Sequence, residues 1–353
     1  MNDEVTGGEA NAGTTGTDDG PIAVLGAGSW GTALAVQLAR AGNVVRLWGR
    51  DTSALEAMVG TRVNARYLPS APFPARLTAE PELERSLAAA TTVLVVVPSH
   101  AFRATLEMLR PHARALGDRL GLAWATKGLE LASGQLPHQV ARATLPAVRR
   151  LAVLSGPTFA TEVGAGLPTA LTVAAEEEAF AESLAARLSS ESFRVYTSTD
   201  MIGVEVGGAV KNALAIAAGL SDGLGYGANA RVALINRGLR EMTRFGVALG
   251  AEESTFAGLA AMGDLVLTCT DDQSRNRRMG LALAAGQGVE RAVAEIGQVV
   301  EGVKAAKAVY EQARRLGVEM PIVEQVCRIV HEGVDPREAG RALMTRASGA
   351  ESV

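Results

Sequence analysis

A doubly wound α/β sheet domain followed by an all-helical domain is the architecture expected of this 353-residue chain, and three features carry the expectation. From Pro21 to about Ser198, short β-branched runs alternate with helical stretches, the pattern that lays helices on both faces of a largely parallel sheet. Several of those runs are apolar at consecutive positions, as strands covered on both faces must be. After Asp200 the strand-like runs disappear and helical periodicity dominates to the C-terminus.

In order, residues 22–26, 44–48 and 92–97 read as strands, and so do 120–125, 151–154, 169–173 and 193–196. Residues 301–316 place Val303, Ala306, Val309, Tyr310 and Ala313 on one stripe, an amphipathic helix stopped by Gly317. Pro321 then opens another helix over 322–331, since its fixed φ suits a first turn. No internal repeat is visible. Residues 1–20 carry five acidic residues, five glycines and no Lys or Arg. Such a leader cannot bury enough apolar surface to offset ordering, so it is expected to be disordered. It also lacks the basic and apolar regions of a secretory signal.

Composition narrows the class. A net charge of -4 supplies no basic field, which excludes a nucleic-acid partner. No unbroken apolar run approaches the roughly 18 residues of a membrane helix, so a cytoplasmic protein without an integral membrane segment is expected. The two cysteines, Cys269 and Cys327, lie too far apart to suggest a disulfide framework or a metal cluster. The four histidines show no ligand spacing, and no metal is expected.

Gly26-Ala27-Gly28-Ser29-Trp30-Gly31 follows the first strand and opens a helix, and Gly42 and a second strand come next. In that context the glycines mark a Rossmann-type dinucleotide site. Gly26 permits the turn, Gly28 lets backbone approach a pyrophosphate, and Gly31 lets helix and strand pack closely. The helix N-terminus then supplies N–H donors and a favourable dipole. Arg50, after the second strand, suits the 2′-phosphate of NADPH; Asp51 beside it keeps NADH open. Residues 21–198 are therefore read as the dinucleotide-binding domain, 199–346 as a helical substrate and catalytic domain, and 347–353 as a tail.

Three further stretches set polar groups in apolar surroundings. Lys127 lies in Ala-Thr-Lys-Gly-Leu-Glu at the C-terminal end of a strand, the sheet edge where ligands bind. Lys211 and Asn212 interrupt a helix of small apolar residues. Most such lysines snorkel to water, but one held among Ala and Gly can have a lowered pKa fit for acid–base work. Asp264 follows Gly263, and Ser274 caps what reads as a helix carrying Arg275 and Asn276 in its first turn. A capped helix start plus a guanidinium makes a phosphate site, though an ordinary surface helix has the same spacing.

At this point the chain resembles the bacterial-type NAD(P)-dependent glycerol-3-phosphate dehydrogenases. The blocks that carry the likeness are GAGSWGTALA from Gly26, RYLP from Arg66, VPSHAFR from Val97, ATKGLE from Ala125 and SGPTFATEV from Ser155. They continue with the long GVEVGGAVKN block from Gly203, GDLVLTC from Gly263, SRNRR from Ser274 and VVEGVKAAK from Val299. They keep their order from Pro21 to about Pro336. The resemblance implies cofactor contacts at Ser29, Trp30, Arg50, Ala160, Val299 and Glu301, with Lys127 and Arg275 touching cofactor as well as substrate. It implies substrate contacts at Gly156, Thr158, Asp264, Ser274 and Asn276, and a proton carrier at Lys211. The implied reaction interconverts glycerone phosphate and sn-glycerol 3-phosphate with NADPH or NADH, NADPH favoured. A small phosphorylated substrate, a homodimer and supply of phospholipid synthesis are implied with it. Two other readings stay open: a related 3-hydroxy acid dehydrogenase, and a dinucleotide sensor without catalysis. The Ser-Arg-Asn helix start counts against the first, and the presence of Lys127, Lys211, Asp264 and Arg275 against the second.

Overall fold

The computed structural model describes residues 20–116 and 120–345. The expectations of a disordered leader and of a tail fall on residues outside these, apart from Gly20.

Ten strands are found among the described residues: β1 (Ile22–Leu25), β2 (Val45–Trp48), β3 (Val63–Asn64), β4 (Leu68–Pro72), β5 (Leu77–Ala79), β6 (Thr92–Val95), β7 (Gly121–Trp124), β8 (Arg150–Ser155), β9 (Thr169–Ala175) and β10 (Phe193–Ser198). Eight of them form one sheet in the order β10-β9-β8-β7-β6-β1-β2-β5. The order turns back at β1, next to β6, which puts a doubly wound switch point at the glycine motif. All seven anticipated strands are present; β1, β6 and β7 are buried throughout, as their continuous apolar runs require, whereas the edge strand β10 exposes Arg194, Tyr196 and Thr197. The short strands β3, β4 and β5 went unanticipated. β4 holds Pro69 and Pro72, and β3 and β5 are too brief to show a period.

The sheet is not wholly parallel. β8 and β9 pair antiparallel while β9 and β10 pair parallel, so the last two strands oppose the other six.

Seven helices belong to this half: α1 (Ser29–Arg40), α2 (Thr52–Thr61), α3 (Leu83–Leu87), α4 (Ser99–Leu116), α5 (Pro137–Thr144), α6 (Ala160–Ala165) and α7 (Glu178–Leu188). After β10 the described chain is helical: α8 (Met201–Gly223), α9 (Gly227–Ala248), α10 (Asp264–Thr270), α11 (Arg275–Ala284), α12 (Val289–Ile296), α13 (Glu301–Arg315), α14 (Pro321–Glu332) and α15 (Pro336–Met344). The π-helical turn Leu259–Gly263 runs straight into α10.

Helix α8 is the axis of the second half, packed by α9, α10, α11, α13 and α14. Its small residues allow backbone to meet backbone. A Cβ on Gly219 would lie 2.1 Å from the Arg277 carbonyl oxygen, and one on Gly280 of α11 would lie 2.1 Å from that of Ile216. Averaged over its length, α8 is apolar enough to cross a membrane, contrary to what its interrupted runs suggest. Yet 94% of that window is buried inside the protein, as a core helix is.

Candidate active site

The three glycines of the motif stand in different surroundings. Gly26 has φ +127°, and a Cβ there would sit 2.1 Å from the Val96 carbonyl oxygen. A Cβ on Gly31 would be 1.8 Å from the Gly26 carbonyl oxygen. A Cβ on Gly28 would meet nothing within 4 Å among the described residues, so that side of the backbone is open to a ligand. No side chain caps α1, and its first N–H groups beyond Gly28 have no backbone partner outside the helix. That open cradle with free donors fits a pyrophosphate. The indole of Trp30 packs against the sheet core.

Arg50 is exposed, without a hydrogen-bond partner among the described residues, whereas Asp51 caps α2 by accepting from Ala54 N at 3.0 Å. The carboxylate that kept NADH open is thus committed to the backbone. Burial holds His100 below its ordinary pKa, and the positive charges of Lys304 and Arg50 add to this, so a cationic rim flanks the start of α4.

The polar centre lies where β7 meets α8. Asp264 is 1% exposed, and its two carboxylate oxygens take one lysine each. Lys127 Nζ donates to Oδ2 at 2.6 Å, and Lys211 Nζ donates to Oδ1 at 2.5 Å and to Thr268 Oγ1 at 2.9 Å. Burial pushes the Lys211 ammonium down to about 8. The Asp264 carboxylate opposes this, but Lys127 shares that carboxylate and pushes the same way as burial. A lysine so placed can both give and take a proton near neutral pH.

Beside this clamp stands the start of α11. Ser274 Oγ accepts from Arg277 N at 3.2 Å, leaving the N–H groups of Arg275 and Asn276 without backbone partners outside the helix. Burial lowers the Arg275 pKa, against the pull of Glu301, and the guanidinium has no hydrogen bond among the described residues. Asn276 is engaged on both sides: Nδ2 donates to Asn212 Oδ1 at 2.8 Å, and Oδ1 accepts from Gly302 N at 2.9 Å. What it can offer a ligand is its backbone N–H and the remaining amide hydrogen. Glu301, half-buried with its pKa raised by burial, accepts from Ser99 Oγ at 3.1 Å and ties α13 to α4.

The other anticipated residues border the same region. Gly156 follows β8, where a Cβ would strike Leu171 Cα at 2.7 Å, and Thr158 turns its hydroxyl back to the Gly156 carbonyl at 3.2 Å. Pro157 lies against Gly263, which brings this loop to Asp264. Ala160 begins α6, tied to the approach of α11 by Thr161 and Gln273 at 2.7 Å. Val299 precedes α13 and is 40% exposed.

The comparisons meet this geometry at both halves. The N-terminal model of the family described as NAD-dependent glycerol-3-phosphate dehydrogenase matches residues 21–181, and its C-terminal model matches 200–341. A glycerol-3-phosphate dehydrogenase (NAD(P)+) of Pseudoalteromonas translucida is 54% identical over 331 residues, 94% of this chain and 98% of the relative. The chain belongs to the NAD-dependent glycerol-3-phosphate dehydrogenase family. Its relative in Aeromonas salmonicida is 55% identical over 92% of this chain and 97% of its own. The crystal structure of the glycerol-3-phosphate dehydrogenase of Coxiella burnetii superposes with a TM-score of 0.89 at 48% identity, covering 93% of this chain and 99% of that one.

Within the family frame, two polar residues escaped the sequence reading. Thr268 lies four residues after Asp264, the helical spacing that puts both on one face, and its hydroxyl joins the Lys211 clamp. Asn64, fully buried, donates to the Ala27 carbonyl at 3.0 Å and to Thr32 Oγ1 at 2.8 Å, bracing the glycine motif. Its one local bond, accepted from Tyr67 N at 3.2 Å, is that of any turn asparagine, and the two partners that matter are more than thirty residues away.

Proposed function

We propose that this chain reduces glycerone phosphate to sn-glycerol 3-phosphate, and runs the reverse reaction, with NADPH preferred to NADH. The Lys211–Asp264–Lys127 clamp beside the α11 helix start carries the reading. It sets a proton carrier with a lowered pKa next to an anion-binding helix end.

The bound nicotinamide supplies the hydride. The glycine motif from Gly26 through Gly31, with Ser29 and Trp30, holds the dinucleotide. Arg50 meets its 2′-phosphate, since Asp51 is committed to a helix cap. Ala160, Val299 and Glu301 flank it, and Lys127 and Arg275 reach both ligands. The free N–H groups of α11, Ser274, Arg275 and Asn276 grip the substrate phosphate; Gly156 and Thr158 line the pocket. Remote binding energy thereby orients the reacting carbon. Lys211 gives a proton to the C2 oxygen during reduction and withdraws one during oxidation. Asp264 keeps both ammonium groups in line while Lys127 neutralises charge growing on the oxygen.

The sheet half, 21–198, and the helical half, 199–346, act as cofactor and substrate units of a cytoplasmic homodimer that supplies phospholipid synthesis. The family resemblance supports that assignment, and the mass of the protein in solution tests its dimer. Absorbance at 340 nm with glycerone phosphate and each reduced cofactor tests the reaction: NADPH is oxidised, and NADH more slowly. A protein inert toward glycerone phosphate but active on a 3-oxo acid would overturn the substrate reading.

A further inference from the structure

We propose that Glu205 is a positioning residue, whose carboxylate ties α8 to Trp124 of β7 and His138 of α5 and so sets Lys211 against Lys127 across Asp264. The inference rests on the dehydrogenase reading above.

Glu205 lies in the second turn of α8 and its side chain is 1% exposed. It takes three donors from the sheet half: Trp124 Nε1 at 3.0 Å and His138 N at 2.9 Å on Oε1, and His138 Nδ1 at 2.6 Å on Oε2. Trp124 is the last residue of β7, three before Lys127; Glu205 is six before Lys211. Three residues of chain reach at most about 10 Å and six helical ones span about 9 Å, so the two arms are of similar reach. A closed frame results: Trp124 to Glu205 at one end, Lys127 and Lys211 on Asp264 at the other. Between the ends, Gly208 brings α8 against the Lys127 stem, where a Cβ would lie 3.3 Å from Cγ. Ser155 Oγ meets the same point at 3.2 Å, so a slip of α8 presses on the Lys127 stem and Ser155 together.

Packing alone does not call for an acid here. A buried carboxylate is costly unless its hydrogen bonds are used, and an apolar residue would seat a helix on a sheet at less cost. Burial raises the Glu205 pKa, and the bonds from His138 and Trp124 pull it back. Those directional bonds are what an apolar contact lacks. Nothing places Glu205 on substrate or cofactor; it acts through α8.

The test uses the full chain with Glu205→Gln, Glu205→Met and Trp124→Phe, comparing kcat, KM, NADPH affinity, the pH profile and Tm. Glu205→Met is expected to lower kcat about 10²-fold, the scale of a misplacement of about 1 Å, with NADPH affinity unchanged. Glu205→Gln and Trp124→Phe should lower it less, in that order. In each, the limb of the pH profile near 8 should move, because the Lys211 surroundings change. The Glu205→Met/Trp124→Phe double variant should be no slower than Glu205→Met, since the Trp124 bond is already lost in Glu205→Met. Variants with lowered Tm but wild-type kcat and an unmoved limb would overturn the proposal; if Glu205→Met does not fold, the other two decide it. Wild-type protein without turnover would instead defeat the functional reading, and the pH dependence of Lys211 acylation would still report on the tie.

Discussion

At Lys211 a single side chain decides the pH behaviour. Its pKa of about 8, lowered by burial, lies within reach of ordinary assays. Reduction needs the ammonium, so its kcat should fall as pH rises through about 8; oxidation needs the amine, and its kcat should rise over the same interval. Profiles that run parallel in the two directions would exclude Lys211 as the proton carrier. The stability sign follows the same shift. Below about 8 the lysine is charged in both states, and its burial costs stability throughout. Between about 8 and the ordinary lysine value of 10.5 the unfolded chain binds the extra proton, so the Lys211 contribution becomes more favourable as pH rises. Lys211→Met keeps an apolar stem and should cut kcat by roughly 10²–10⁴ while leaving NADPH affinity near wild type. Arg50→Ala should weaken NADPH by about 1.5–3 kcal/mol and NADH hardly at all; equal losses measured by titration would remove Arg50 from cofactor choice. Lys127, Lys211 and Asp264 could be picked out in the sequence because each breaks an apolar or glycine-rich background, and Arg275 because it follows the helix cap Ser274. The pairing of both lysines on one carboxylate could not, since it depends on where β7 and α8 meet.

Among the elements, α8 and α11 carry the proposed chemistry on one and the phosphate grip on the other, and glycines set their spacing. Gly280→Ala should gain helix propensity yet lose more by driving α11 away from the Ile216 carbonyl, a net cost of about 1–3 kcal/mol. Thermal unfolding should show the loss, and a raised KM for glycerone phosphate should accompany it, with NADPH affinity less affected. An unchanged Tm and KM would mean that the helix pair tolerates the extra methyl. The larger strands and helices were legible because each repeats a signal: continuous apolar runs in β6 and β7, a 3.6-residue stripe in α13, a proline opening α14. The reversal of β9 and β10 left no trace, because strand direction is set by how α6 carries the chain over the sheet edge, packed on α1 and β4. The π-helical turn before Asp264 was equally silent, since one extra residue in a helix changes no composition.

On the scale of the whole molecule, both halves are proposed to touch the cofactor: the glycine motif and Arg50 from one side, Arg275, Val299 and Glu301 from the other. NADPH at about 100 times its dissociation constant should therefore add about 2.7 kcal/mol to stability, shared by the two halves. Calorimetry that found only a separate transition of the sheet half shifted would deny the helical half its part in binding.

The burial of α8 also bears on how the chain is made. Synthesis delivers a 23-residue helix of membrane-spanning hydropathy before the helices that cover it exist. From Gly223 to the end of α14 at Glu332 the ribosome must add roughly 110 residues, about 5–20 s at usual elongation rates. During that interval the segment bearing the proposed proton carrier presents the nascent chain's most membrane-like face. Its buried Glu205 and Lys211 are the residues that oppose capture by a bilayer, since a charged side chain at a membrane's centre is costly.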